Sequence, residues 1–228
     1  MTVTSGDAAA PIRERYPDCA VKSCGMAANG FSRYCAKHRR QFYLTRSPTG
    51  RILRKGRDLK RYRDMAAEAL AAHREHPAFQ AAFRWLEGLM DGAEHFEGGG
   101  GVKRDLAMEL RRLRRDGATG EAMFLRIAAV WGYAEGNRGT WPDDVVQTVN
   151  LGHHALRTTP KPGKHSRRKD KVQPANTKGT VSLAFGKMIR ETLGVLLMQL
   201  WDYIEREFNR QARAKNAINE ALQREPLA

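Results

Sequence analysis

Apolar residues recur at intervals of three and four along most of the chain, and period-two alternation is nearly absent, which predicts a mainly α protein. Leu59, Tyr62, Met65, Ala66, Ala69 and Leu70 form one stripe. Pro77 suits the first turn of a second helix, where its missing N–H is no loss, and Phe79, Ala82, Phe83, Leu86, Met90 and Ala93 carry its apolar face. The four glycines at 98–101 predict a hinge or boundary, since each costs about 1 kcal/mol in a helix. Leu106, Leu110 and Leu113 predict a third helix ending near Gly117. Its last turns hold Arg111, Arg112, Arg114 and Arg115, which suit the helix dipole as well as a polyanion. Phe124, Ile127, Ala128 and Trp131 predict a fourth helix closed by residues 132–136. Pro142, Asp143 and Asp144 open a fifth, with Val145, Val146, Val149 and Leu156.

A long last helix is predicted from Thr180, as its cap, to about residue 225. Leu183, Ile189, Leu193, Leu196, Leu200, Ile204 and Phe208 step mostly by four and three over about three heptads, the lower limit for a coiled coil. Packing on the bundle, self-association into a homo-oligomer and capture of a protein partner all fit that face.

With 228 residues, 41% hydrophobic and 29% charged, the chain has a folding composition and room for a core. Its longest apolar run, 193–198, is far short of the roughly 20 residues that cross a bilayer. The opening MTVTSGDAAAPIRERYPD lacks a basic-then-apolar signal pattern. A cytoplasmic chain with no membrane association is expected. Forty Lys and Arg against 25 acidic residues give +15, a charge that a polyanion partner explains and a compact enzyme for acidic substrates does not need.

The cysteines change the picture most. Cys19, Cys24 and Cys35 all fall in the first sixth of the chain, and His38 completes C-x4-C-x10-C-x2-H. Three thiolates and an imidazole form a closed tetrahedral set for structural zinc. Cys19 and Cys24 bracket a turn containing Lys22 and Ser23, with Gly25 just beyond, while Cys35 and His38 share one face at the start of a helix. An odd number of cysteines argues against a disulfide framework, and no C-x-x-C redox pair exists.

The run CAVKSCGMAANGFSRYCAKHRRQFYLTRSPTGR resembles the short zinc-binding module of phage and mobile-element proteins. Tyr34, Cys35, His38, Arg39, Arg40 and the Ser47, Pro48, Thr49, Gly50 turn carry the likeness, over residues 16–51. That module is similar to the zinc knuckle of treble-clef proteins and sits beside DNA-binding or HNH-nuclease domains, including relatives of recombination endonuclease VII. The resemblance implies a treble-clef-like metal site and does not imply nuclease activity.

Between residues 33 and 63, twelve cations face the single acid Asp58, a net of +11. They are Arg33, Lys37, Arg39, Arg40, Arg46, Arg51, Arg54, Lys55, Arg57, Lys60, Arg61 and Arg63, interleaved with Tyr34, Phe42, Tyr43 and Tyr62. Such a cluster repels itself unless a polyanion compensates it. Basic residues on a metal-pinned helix suit phosphates or a groove, and aromatics suit exposed bases. A second block, with Lys164, Arg167, Arg168 and Lys169 at its centre, lies in a Pro- and Gly-containing stretch over 158–179 and reads as a linker or a second grip on the same backbone.

The expected architecture is a flexible 1–15, a zinc module over 16–51, a helical domain over 52–157, the basic linker, and a last helix over 180–225. The expected function is non-enzymatic nucleic-acid binding, DNA favoured over RNA, with structural zinc as the cofactor. One rival is an accessory subunit that grips a protein or protein–RNA assembly through the zinc module and the last helix. Another is an HNH-like nuclease built on His153, His154 and Asn176. Its histidine pair falls in a helical stretch rather than the hairpin that fold needs. His73, His76, His95 and His165 show no ligand spacing.

Overall fold

The computed structural model describes residues 17–96, 100–139, 141, 143–158 and 178–224. Seven α-helices occur among them: α1 (Ala36–Thr45), α2 (Lys60–His73), α3 (Pro77–Gly92), α4 (Val102–Arg115), α5 (Gly120–Gly136), α6 (Asp144–Ala155) and α7 (Gly179–Arg224). The only pairing of extended backbone among the described residues is a bridge between Asp18 and Ala27. The segment 1–15, Pro142, most of the 158–179 linker with Lys164, Arg167, Arg168 and Lys169, and His165 and Asn176 lie outside the described residues.

Helix starts follow local chemistry. His76 Nδ1 accepts the Ala78 amide one residue before Pro77. Thr119 Oγ1 accepts from Ala122, and Asp143 Oδ1 accepts from Val146 at 2.8 Å. Each of these oxygens or nitrogens satisfies an amide that has no partner inside its helix.

Helix α5 runs through the centre, packed against α2, α3, α6 and α7, with Met123, Phe124, Ile127, Ala128 and Val130 fully buried. The stripes predicted on α2, α3 and α4 face this core, except that Tyr62 and Met65 are only partly covered. Helix α5 ends at Gly136, within the expected 132–136, and Gly132 inside it is the seat of the Trp201 indole, which a Cβ would approach to 2.0 Å. One expectation is corrected. Helix α7 is not capped by Thr180: it begins at Gly179, whose missing Cβ lets the backbone meet the Tyr43 and Leu44 carbonyls of α1.

The seam of α7 also differs in part. Val181, Phe185, Ile189, Leu193, Leu197, Leu200, Trp201 and Ile204 are buried, whereas Leu183 and Leu196 are half-buried and Phe208 is exposed. Steps of four advance the contact line by about 40° each, so α7 turns different sides toward α1, α2, α4, α5 and α6. Its most extensive contact is with α6.

Three of the four arginines at the end of α4 make contacts within the fold, while Arg115 is exposed. Arg111 Nε donates to the Ala93 carbonyl, Arg112 bridges Glu109, Asp116 and the Leu156 carbonyl at the end of α6, and Arg114 pairs with Asp91 of α3. Helices α3 and α4 therefore pack together across the glycine break. No helix among the described residues is long and apolar enough to cross a membrane.

Candidate metal centre and its basic surround

Residues 17–35 have almost no apolar core: only Cys19, Ala28 and Cys35 are buried. What shapes them is backbone hydrogen bonding. Cys19 N–H donates to the Met26 carbonyl, Ala28 to Pro17, Ala20 to Arg33 and Asn29 to Tyr34, all within 3.0 Å. A tight turn from Val21 to Cys24 needs positive φ at Ser23, and Gly25 follows with φ of 59°. Cys35 then caps α1 and His38 stands in its first turn. Thus one pair of ligand residues comes from a knuckle and the other from a helix start.

The four side chains converge, with their ligand atoms all within 4.8 Å of one another. His38 Nδ1 lies 3.3 Å from Cys19 Sγ and 3.4 Å from Cys35 Sγ, and the Cys24 and Cys35 sulfurs are 3.7 Å apart. Ligand bonds of about 2.3 Å to sulfur and 2.0–2.1 Å to nitrogen in a tetrahedron require S–S edges of about 3.8 Å and S–N edges of about 3.6 Å. The three spacings just given are close to the edges of that polyhedron, and the other three are no longer than 4.8 Å.

The electrostatics agree. Burial pushes the Cys19 thiol up, but amide hydrogen bonds from Cys35 and Val21, with help from His38, outweigh it and bring Cys19 down to about 6. At Cys24 an amide hydrogen bond from Met26 pulls down, yet burial and the neighbouring sulfurs of Cys35 and Cys19 win and raise it. Three sulfurs this close cannot all ionise without a cation among them. The Cys19, Cys24, Cys35, His38 cluster is therefore suited to hold a metal ion, whose chemical contribution would be to bind and fix the fold.

The basic residues divide into two groups. Arg51 and Arg57 both pair with Asp58, at 3.0 and 2.9 Å, and Arg51 also donates to the Tyr133 hydroxyl. Asp58 is held below the usual carboxylate range: burial opposes this, and the Arg54 amide and the Arg57 and Arg51 guanidinia prevail. Lys60 and Arg63 pair with Asp64, Arg46 lies over the Phe42 ring at 4.8 Å, and Arg61 lies near the Phe208 ring. By contrast Arg33, Lys37, Arg39, Arg40 and Arg54 are exposed, and their side chains carry no ion pair among the described residues. Lys55 is exposed as well.

Most of the interleaved aromatics face inward. Tyr34 stacks on Phe42, and Tyr62 packs edge-on against Tyr133 and Trp201. Tyr43 is exposed, and so, completely, is Phe31, which the sequence reading passed over. The signal was there: an aromatic between Gly30 and Ser32, in a turn with no apolar periodicity to bury it.

A strap from Thr45 to Leu53 docks the module on the body. Thr45 Oγ1 donates to the Ser47 carbonyl at 2.7 Å. The buried Asn150 side chain of α6 accepts from the Leu53 amide and donates to the Arg51 carbonyl.

His153 and His154 are 7% and 5% exposed, inside α6. Burial brings His153 down to about 3, with Arg157 and His154 adding to it. Burial likewise brings His154 down to about 4, with Arg126, Arg157 and Lys55 adding and the Leu53 carbonyl opposing. Both rings are neutral near pH 7. An unfolded histidine takes a proton near pH 6.5, so the folded state loses stability as pH falls from there toward 4. Two such groups give a slope of up to about 2.7 kcal/mol per pH unit. Denaturant melts at pH 7, 6, 5 and 4.5 should trace that decline, and His154→Gln should remove about half of it. A flat profile for the unaltered protein would contradict the burial.

Compared with family models, curated proteins and solved structures, the chain has no match.

Proposed function

We propose that the chain is a non-enzymatic nucleic-acid-binding protein whose Cys19, Cys24, Cys35 and His38 hold zinc and whose tip lies on phosphates, DNA favoured over RNA. Zinc is the ion because three thiolates with one imidazole in a closed tetrahedral set suit it and exclude the hard oxygen-seeking cations. The observation that carries the binding reading is the set of unpaired exposed cations on and beside α1. Arg33 stands two residues before Cys35, Lys37 lies between Cys35 and His38, Arg39 and Arg40 follow His38 on the same helix as Lys37, and Arg54 comes just after the strap. A surface that leaves five cations unneutralised supports a polyanionic partner.

Burial of His153 and His154 within a helix supports leaving a nuclease centre out of the reading. Salt dependence tests the binding. Five phosphates neutralised on duplex DNA give a drop in affinity of about 500-fold between 50 and 200 mM salt. Replacing Arg39 and Arg40 by Ala should flatten that slope by about two phosphates' worth. A salt-independent affinity, or none, would instead favour the accessory-subunit reading. That reading draws support from α7 beyond Ile204, where residues 205, 206 and 208–211 are exposed.

A further inference from the structure

We infer that Phe31 is a stacking platform for an unpaired nucleobase, so that the tip engages single-stranded nucleic acid through a ring as well as through charge. This inference rests on the proposed nucleic-acid binding and adds to it the strand state of the ligand.

Phe31 stands at the apex of a turn that closes on itself. Asn29 N–H donates to the Tyr34 carbonyl at 3.0 Å, Ser32 N–H to the Asn29 carbonyl, and Tyr34 N–H to Ser32 Oγ. Gly30 supplies the left-handed residue, φ 58°, that the turn requires. The next residue after the turn is Cys35, so the metal cluster anchors its base. The ring itself is fully exposed and takes part in no aromatic pair among the described residues. It packs on nothing in the fold, yet it is displayed on a turn held by three hydrogen bonds.

The setting identifies the occupant. Over residues 17–46 there are six Lys and Arg, namely Lys22, Arg33, Lys37, Arg39, Arg40 and Arg46, against Asp18 alone. Met26, Tyr43 and Leu44 of the same module are exposed as well, and what marks the setting is charge: an exposed ring in a cationic field matches a ligand that carries both π-faces and a phosphate chain. A base within a duplex offers its faces only to its neighbours, so an unpaired one fits.

The test compares Phe31→Ala, Phe31→Trp and the unaltered zinc-loaded full chain on oligonucleotides of one sequence: single-stranded DNA, single-stranded RNA and duplex DNA. Phe31→Ala is expected to weaken single-strand binding by about tenfold to a hundredfold while duplex affinity stays within about twofold. Phe31→Trp should keep the affinity and gain a fluorescence signal that single strands quench. The DNA and RNA arms show which single strand is preferred. Equal loss on duplex and single strands, or no loss on any, would overturn the inference while leaving the phosphate-binding reading in place. Failure of the unaltered protein to bind all three would overturn both. Because Phe31 packs on nothing, unchanged zinc content is expected in both variants and confirms that they fold.

Discussion

Removing the metal is expected to unfold residues 18–35 and leave the helical body standing. The knuckle buries three small side chains and is held by a few backbone hydrogen bonds. That is far too little apolar area to offset the ordering of eighteen residues at about 1–2 kcal/mol each. Structural zinc supplies on the order of 10–16 kcal/mol in modules of this kind. Helices α2 to α7 bury their own core and share no ligand with the cluster. Hydrogen exchange should therefore show the Cys19, Ala28 and Asn29 amides losing protection on chelation, while amides of α5 keep theirs. Cys35→Ser should behave like the chelated protein and bind no stoichiometric zinc. Protection that survives in metal-free protein would mean that the backbone network alone suffices.

The second large effect is a reversal of helix propensity. Alanine normally stabilises a helix by about 1 kcal/mol over glycine, yet Gly186→Ala is expected to destabilise this protein by about 3 kcal/mol or more. A Cβ there would stand 1.9 Å from the Thr148 carbonyl oxygen, and one at Gly152 would stand 2.0 Å from that of Ser182. Both obstacles are backbone and cannot rotate away, so α6 and α7 would have to part along their most extensive contact. Gly88 on α3 is the control, since nothing lies within 4 Å of its added methyl. Gly88→Ala should stabilise by up to about 1 kcal/mol. Urea midpoints of the variants decide the matter, and a neutral or stabilising Gly186→Ala would refute the close helix contact.

Much of this arrangement could be read from residue order, and what could not has a physical explanation. The stripes of α3 and α4 were legible because each helix turns one face to one core, which is the condition under which period 3.6 is informative. The α7 seam was only half legible. Its contact line precesses around the helix, so Phe185 and Leu197 take places that a fixed face would give to Leu183 and Leu196. The role of Gly132 inside α5 was hidden, since no local signal announces an indole arriving from residue 201. The strap was hidden for the same reason: Asn150 belongs to a helix and satisfies backbone almost a hundred residues earlier. The metal ligands were legible because their chemistry is carried by spacing within twenty residues. The division of the cations was not, because pairing depends on where Asp58 and Asp64 turn.

Contact between Gly179 and the Tyr43 and Leu44 carbonyls sets an order of assembly. During synthesis the amino-terminal piece emerges first, but its seat includes the foot of a helix made more than 130 residues later. At 5–20 residues per second the ribosome needs roughly 7–27 s to reach it. Until α6 and then α7 emerge the nascent tip lacks those partner surfaces, and capture of an ion by the cysteine cluster would hold its fold in the meantime. Cellular yield should accordingly follow metal supply during translation more closely than the thermal stability of the finished molecule does.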